Sequence, residues 1–427
     1  MALNSKFKSS FEEFETYLYK TLSNEEFENL TSNKNSKKWI NTSAFLEFLD
    51  FESRNHFIIS NLDENIRYLK EFSKLPIVLI EAPYIWFETI SQNESIISIH
   101  GNHQIYLCLD SESGSFEIKK KPDSTKEFSG QDVTIGLIDS GIDQSHPDLS
   151  NKIKKIYNIS GEPDGDFNGH GTFLAGIIAG SRKQNDDPNY GISPGAKLID
   201  IKIFNKEGKA TVAELLEVFD LILSETEENI PNIIVFGCNY WSFDDKSLIV
   251  RYCELLFKKN IAIVSPTGNF GPDLGNISSL GENPYVLTVG ALNNKKKVPF
   301  FSGRSKGIDL NLLGKDVTSS ISSEHVIGTL SRPDLKYVKL SGTSISAAIA
   351  GGMLVLLKEL NPSFSPSQLY KLIKTTSQGN GKPQINKFTK KKIVNKISTY
   401  TFSSIIKIAS LISGSIFILF LILFYMF

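Results

Sequence analysis

Beyond residue 130 the chain keeps one rhythm. Short apolar runs, at 133–138, 196–203, 233–236, 261–264 and 286–289, are separated by helical stretches. Runs of this length, bounded by polar and glycine-rich segments, read as strands. Strands that alternate with helices must lie parallel, with the helices crossing over both faces of the sheet. The pattern therefore predicts an α/β domain, expected over residues 126–378 and closing after a helix at 366–375. At 427 residues the chain has room for further domains on either side.

Composition narrows the partners more than the fold. A formal net charge of −1 offers nothing that would draw the chain to phosphate, so a nucleic-acid partner is not expected. The three cysteines, Cys108, Cys238 and Cys253, are odd in number and widely spaced, which gives neither a disulfide framework nor a zinc pattern.

The two ends differ. Residues 1–125 open with Phe11, Phe14, Tyr17 and Leu18 at helical spacing. Apolar runs at 56–59 and 77–80 then read as strands flanking a helical segment near 65–74. A small α+β region is expected there. A polar junction at 119–124 would close it, and no apolar run of signal-peptide length precedes it. At the other end, residues 408–427 carry no charge and are dominated by Phe, Ile and Leu. Twenty such residues at 1.5 Å rise match a hydrocarbon core of about 30 Å. A transmembrane helix is expected over 405–427, behind a basic linker at 379–404. Lys387, Lys390, Lys391, Lys392, Lys396 and Lys407 precede the apolar run, with no acidic residue after Glu359. Positive charge stays on the cytoplasmic side, which places the domain upstream of it in the cytoplasm.

Three glycine-flanked motifs carry the chemistry. They are Ile138-Asp139-Ser140-Gly141, Asn168-Gly169-His170-Gly171-Thr172 and Gly342-Thr343-Ser344-Ile345-Ser346. Each alone has a bland reading: a turn, a solvated histidine, a helix cap. Together they supply an acid, an imidazole and a hydroxyl. A serine hydroxyl is a weak nucleophile until a base lies within hydrogen-bond reach and an acceptor fixes that base's tautomer. Asp139 ends an apolar strand, where a carboxylate is costly unless hydrogen-bonded. His170 and Ser344 each open a run of small residues that reads as a helix. Ser344 would thus sit at a helix N-terminus, where the dipole favours developing negative charge.

The order Asp, His, Ser with these flanking glycines resembles the subtilisin-like serine proteases. The resemblance covers about residues 130–376. It implies a subtilisin-like parallel sheet with helices on both faces and the triad Asp139, His170 and Ser344. It also implies that Asn269, in Thr267-Gly268-Asn269-Phe270-Gly271, donates its amide to the oxyanion together with the Ser344 N–H. Substrate would bind as an extended strand between two edges, Gly208-Lys209-Ala210-Thr211-Val212 and Gly237-Cys238-Asn239, with Gly268 nearby. The second edge usually reads Ser-Leu-Gly. The Met-Ala and Pro-His that usually follow the nucleophile are here Ile345-Ser346 and Ala348-Ile349. These departures leave the triad intact and point to a narrow cleft. The chemistry needs no cofactor. The family's structural calcium would fall at Asp148 and Asn185, residues that a solvated acidic loop explains equally well.

By position, residues 1–125 resemble a subtilase prodomain, with an unrelated accessory domain as the alternative. A membrane-held, cytoplasm-facing subtilase resembles the leader peptidases of lantibiotics, so a peptide or precursor protein is the expected substrate. The alternatives are an anchored subtilase with another peptide target and an inactive module that grips peptides without cutting them.

Overall fold

The computed structural model describes residues 12, 14, 41–61, 66–90, 93–107, 129–181, 191–239, 246–273, 275, 278–324 and 336–377. The expected linker and transmembrane tail lie outside the described residues, as does the junction at 119–124. Of the opening helix only Glu12 and Phe14 are described. Both are helical, and Phe14 is buried against Tyr84 and Phe87.

The first folded region is a four-stranded antiparallel sheet. Its strands are β1 (Asn41–Phe48), β2 (Arg67–Glu71), β3 (Ile77–Pro83) and β4 (Ile96–Gly101), in the order β2-β3-β1-β4. Helices Phe51–Ser60 and Tyr84–Ile90 complete a β-α-β-β-α-β unit. Two local expectations fail here. Residues 56–59, read as a strand, belong to the first helix. A four-residue apolar run has no resolvable period, and the N-cap settles it: Asp50 accepts the Ser53 N–H at 2.7 Å. The segment near 65–74, read as helical, holds β2. Exposure alternates along it, and its pairing with β3 is a tertiary effect that local spacing does not carry.

Both faces of this sheet are covered. Ala44, Leu46, Phe48, Val78 and Ile80 pack with Phe57, Tyr84 and Phe87 of its own helices. The alternate residues, Phe45, Ile77 and Leu79, join Phe72 and Leu75 in the core of the following domain. Side chains along a strand point to opposite faces, so one sheet serves two cores.

That following domain is built on seven parallel strands: β6 (Thr134–Asp139), β7 (Ile153–Asn158), β8 (Lys197–Lys202), β10 (Ile233–Phe236), β12 (Ala262–Pro266), β13 (Val286–Leu292) and β14 (Leu310–Leu313). The order is β14-β13-β12-β10-β6-β8-β7. Ile234 and Phe236 meet helices Val212–Ser224 and Lys246–Lys258 on one face. On the other, Val235 and Ile135 meet the backbone of helix Thr343–Leu360 at Gly351. The expected α/β architecture is therefore present. Parallel strands with both faces buried read as continuous apolar runs, which is why they were visible in the sequence. Among the described residues one helix, Thr343–Leu360, is long and apolar enough to cross a membrane. It is buried in this core.

Strand order reverses at β6 and β10. In open α/β sheets the crevice beyond the carboxyl ends of such neighbouring strands is where ligands bind. Asp139 is the last residue of β6, Gly237 follows β10, and Asn269 lies three residues past β12.

Candidate active site

The three motifs converge at that crevice. Asp139 sits at the carboxyl end of β6, His170 opens helix His170–Ala179, and Ser344 is the second residue of helix Thr343–Leu360. His170 Nδ1 lies 2.8 Å from both Asp139 carboxylate oxygens, and Nε2 lies 3.0 Å from Ser344 Oγ. All three side chains are buried. The carboxylate can only accept, so the imidazole carries its proton on Nδ1 and turns a free lone pair of Nε2 to the serine hydroxyl.

Two glycines make the approach possible. Gly169, with φ at +104°, turns the chain into the His170 helix. At Gly237 a Cβ would fall 1.6 Å from Asp139 Oδ2, so no side chain fits between β10's continuation and the triad.

The Asn269 amide is oriented by its own oxygen. Asn269 Oδ1 accepts the Thr343 N–H at 3.0 Å and the Thr343 hydroxyl at 2.9 Å. Its Nδ2 is buried and makes no hydrogen bond with the protein. A buried, unpaired donor costs stability unless something arrives to use it. The loop that carries it is fixed by Gly303 N–H to Gly268 O (2.8 Å) and Gly271 N–H to Phe301 O (2.8 Å). Ser344 lies in the first turn of its helix, where N–H groups have no intrahelical acceptor.

This geometry can hydrolyse an acyl bond. Ser344 Oγ attacks the carbonyl carbon as His170 Nε2 takes its proton. Asp139 stabilises the resulting imidazolium. The carbonyl oxygen, now anionic, is met by Asn269 Nδ2 and the Ser344 N–H. His170 then gives the proton to the leaving amine, and water repeats the cycle on the acyl-enzyme.

The two predicted substrate edges are paired, and the strand between them comes from the chain itself. β5 (Gln104–Leu107) lies between β9 (Lys209–Thr211) and β11 (Cys238–Asn239) in a three-stranded antiparallel sheet. Ile105 faces Ala210 and Leu107 faces Cys238. The Leu107 N–H donates to Gly208 O at 3.3 Å and the Val212 N–H to His103 O at 2.9 Å. Ile105 is fully buried, while Tyr106 is about half exposed. Gly208 to Val212 and Cys238–Asn239 thus border one extended segment of the chain itself, with Gly237 bonded to β6 instead. Gly268 belongs to the Asn269 loop rather than to either paired edge. Sequence reasoning did not find β5, because main-chain pairing leaves little mark on residue identity. It also missed Thr343, a candidate only once the Asn269 oxygen needed an anchor.

The calcium expectation finds no support at Asp148. Its oxygens accept from the Tyr337 hydroxyl (3.0 Å) and Ser320 Oγ (3.1 Å) inside the core. Asn185 lies outside the described residues. Among the described residues no group of three or more His, Cys, Asp or Glu side chains is placed to hold a metal. Cys238 and Cys253 are buried free thiols, and burial pushes the Cys253 thiol up to about 12.

A buried Asp-His-Ser series beside an unpaired amide donor is the constellation of a serine hydrolase, and the family match makes it a serine endopeptidase. The subtilase family model matches residues 130–391, and the chain belongs to that family. It is 29% identical over 311 residues to serine protease AprX of Bacillus subtilis, covering 67% of this chain and 70% of that protein. An intracellular serine protease of Paenibacillus polymyxa is 26% identical over 284 residues, covering 63% and 81% respectively. The fold matches the crystal structure of fervidolysin from Fervidobacterium pennivorans, a keratinolytic enzyme related to subtilisin. There the TM-score is 0.65 at 19% identity, over 79% of this chain and 57% of that one.

Proposed function

We propose that this endopeptidase is a processing enzyme with few substrates, which removes the leader of a ribosomally made, lantibiotic-type precursor. It acts at the cytoplasmic face of a membrane, held there by residues 405–427. The observation that supports the reading is the occupied cleft. Gln104–Leu107 already satisfies both edges, so the N-terminal region acts as a built-in competitor that a substrate must displace. A precursor that matches the cleft along several residues can do so, and an arbitrary loop of a folded protein cannot. The uncharged run at 408–427 and the lysines before it support the membrane placement.

The test uses the full chain in membranes. A leader-bearing precursor should be cut with a kcat/KM at least about 1,000-fold above that for casein, and protease added outside intact cells should leave the chain whole. Equal turnover of casein would end the processing reading, and degradation from outside would end the cytoplasmic one.

A further inference from the structure

We propose that Asp166 is a positioning residue for the hydrolysis. Through Ser140 and the backbone around His170, it holds the Asp139 carboxylate and the imidazole in one fixed relation. The need for such a residue is geometric. His170 Nδ1 is 2.8 Å from both oxygens of Asp139, so the direct bond leaves the carboxylate free to rock about its own axis. One oxygen is singled out by Ser140, whose N–H donates to Asp139 Oδ1 at 2.8 Å; its Oγ lies 3.2 Å from the same oxygen, its one proton shared between that oxygen and Asp166.

Ser140 Oγ is in turn fixed from the other side. It donates to Asp166 Oδ1 at 2.9 Å and accepts the Gly171 N–H at 3.1 Å. Asp166 also grips the chain on both sides of the histidine. Its Oδ1 accepts the N–H groups of Asn168 (3.1 Å) and Gly169 (2.7 Å). Its Oδ2 accepts the N–H (2.8 Å) and hydroxyl (2.6 Å) of Thr172. A helix cap would need one or two of these bonds. Asp166 makes four, and its fifth reaches the partner of the histidine through a single hydroxyl.

Asp166 and His170 are both buried, so the charge of one acts on the other with little screening by solvent. Asp166 is buried, and burial raises its carboxyl above the usual range against the pull of Thr172 and Gly169. The ionisable groups acting around it include His170 and Asp139 of the pair itself and Asp200 and Lys202 on β8. Burial raises the Asp200 carboxyl strongly, although it accepts the Ile142 N–H at 3.0 Å. Lys202 holds the near side of the loop by donating to Pro163 O and Gly165 O, each at 2.8 Å, with Glu162 at 3.7 Å. A carboxylate behind the His170–Asp139 pair favours the imidazolium that forms when His170 takes the Ser344 proton.

Asp166→Asn and Ser140→Ala, each in the full chain, test this. The measurements are kcat and KM on a chromogenic peptide anilide across pH, corrected for sites titrated to completion with a fluorophosphonate. Asp166→Asn should lower kcat per titrated site by about 10- to 100-fold with KM nearly unchanged. Ser140→Ala should lower kcat per site by about tenfold, again with KM nearly unchanged. If both variants keep kcat per titrated site and lose only titratable protein, Asp166 is a structural cap and the proposal fails. If Asp166→Asn does not fold, Ser140→Ala decides alone, since it spares the other four Asp166 bonds. A lowered kcat per site then upholds the proposal, and an unchanged one overturns it.

Discussion

Two of the sheets among the described residues, the seven-stranded parallel one and the four-stranded antiparallel one, serve one cleft by different means. The parallel sheet gives side chains: Asp139, Gly237 and Asn269 lie at or just beyond the carboxyl ends of three of its strands, and helices packed near them bring His170 and Ser344. The antiparallel sheet gives surface and backbone. It lays Phe45, Ile77 and Leu79 on helices Val212–Ser224 and Lys246–Lys258. Just past its last strand it sends Gln104–Leu107 between the cleft edges. The first contribution depends on particular functional groups at particular atoms. The second depends on apolar area and main-chain pairing, which many sequences supply equally well. The two should therefore respond very differently to substitution.

The side-chain contribution should break abruptly. Ser344→Ala should lower peptide hydrolysis by about four to six orders of magnitude, the scale measured for triad removal in subtilisin itself. Asn269→Ala should cost about two to three orders in kcat with little change in KM, again the value known from subtilisin. Full kinetics on a peptide anilide separate the two constants. Ordinary activity in Ser344→Ala would remove the nucleophile. An effect of Asn269→Ala confined to KM would turn the amide from an oxyanion donor into a substrate contact.

The same division explains what could be read before the structure. The five inner parallel strands, β6, β8, β10, β12 and β13, are buried and show as apolar runs, whereas the edge strands β7 and β14 are only half buried and left no such run. The triad shows because glycines and small residues must surround each member for the elements to approach: at Gly237 a side chain would collide with Asp139. The helix at 51–60 and the strand at 67–71 were exchanged, since a cap and a sheet partner decided them rather than their period. Asp166 resembled any acidic loop residue until its five bonds were seen. β5 was invisible for a further reason: Ile105 and Leu107 are apolar residues of an ordinary kind, and only their seat between two edges gives them meaning.

The backbone contribution should weaken by degrees. Ile105 is the buried anchor of the inserted strand, and full burial of such a side chain is worth about 1.5–3 kcal/mol. Ile105→Ala removes most of that, which corresponds to about a 10- to 100-fold looser hold on the cleft. The rate at which a fluorophosphonate labels Ser344 in the intact chain reads the open fraction directly, and it should rise by that factor while kcat on a short peptide stays the same. An unchanged labelling rate would mean that β5 does not limit access to the nucleophile.

Polar contacts between the two regions should matter least. Lys70 meets Glu217 at 2.6 Å, but both side chains are partly exposed. An ion pair of that kind is worth about 0–1 kcal/mol, because water already solvates both charges and two long side chains must be held still. Asp220 differs in kind. It accepts the Ser73 N–H, the Ser73 hydroxyl and the Lys74 N–H, with the Tyr252 hydroxyl on the same carboxylate. Removing one lysine leaves those bonds and the apolar face in place. Lys70→Ala should therefore raise the labelling rate by less than about fivefold, and added salt should shrink even that difference, since exposed charges are screened. A larger, salt-sensitive effect would show that charge, rather than apolar surface and the inserted strand, seats the N-terminal sheet.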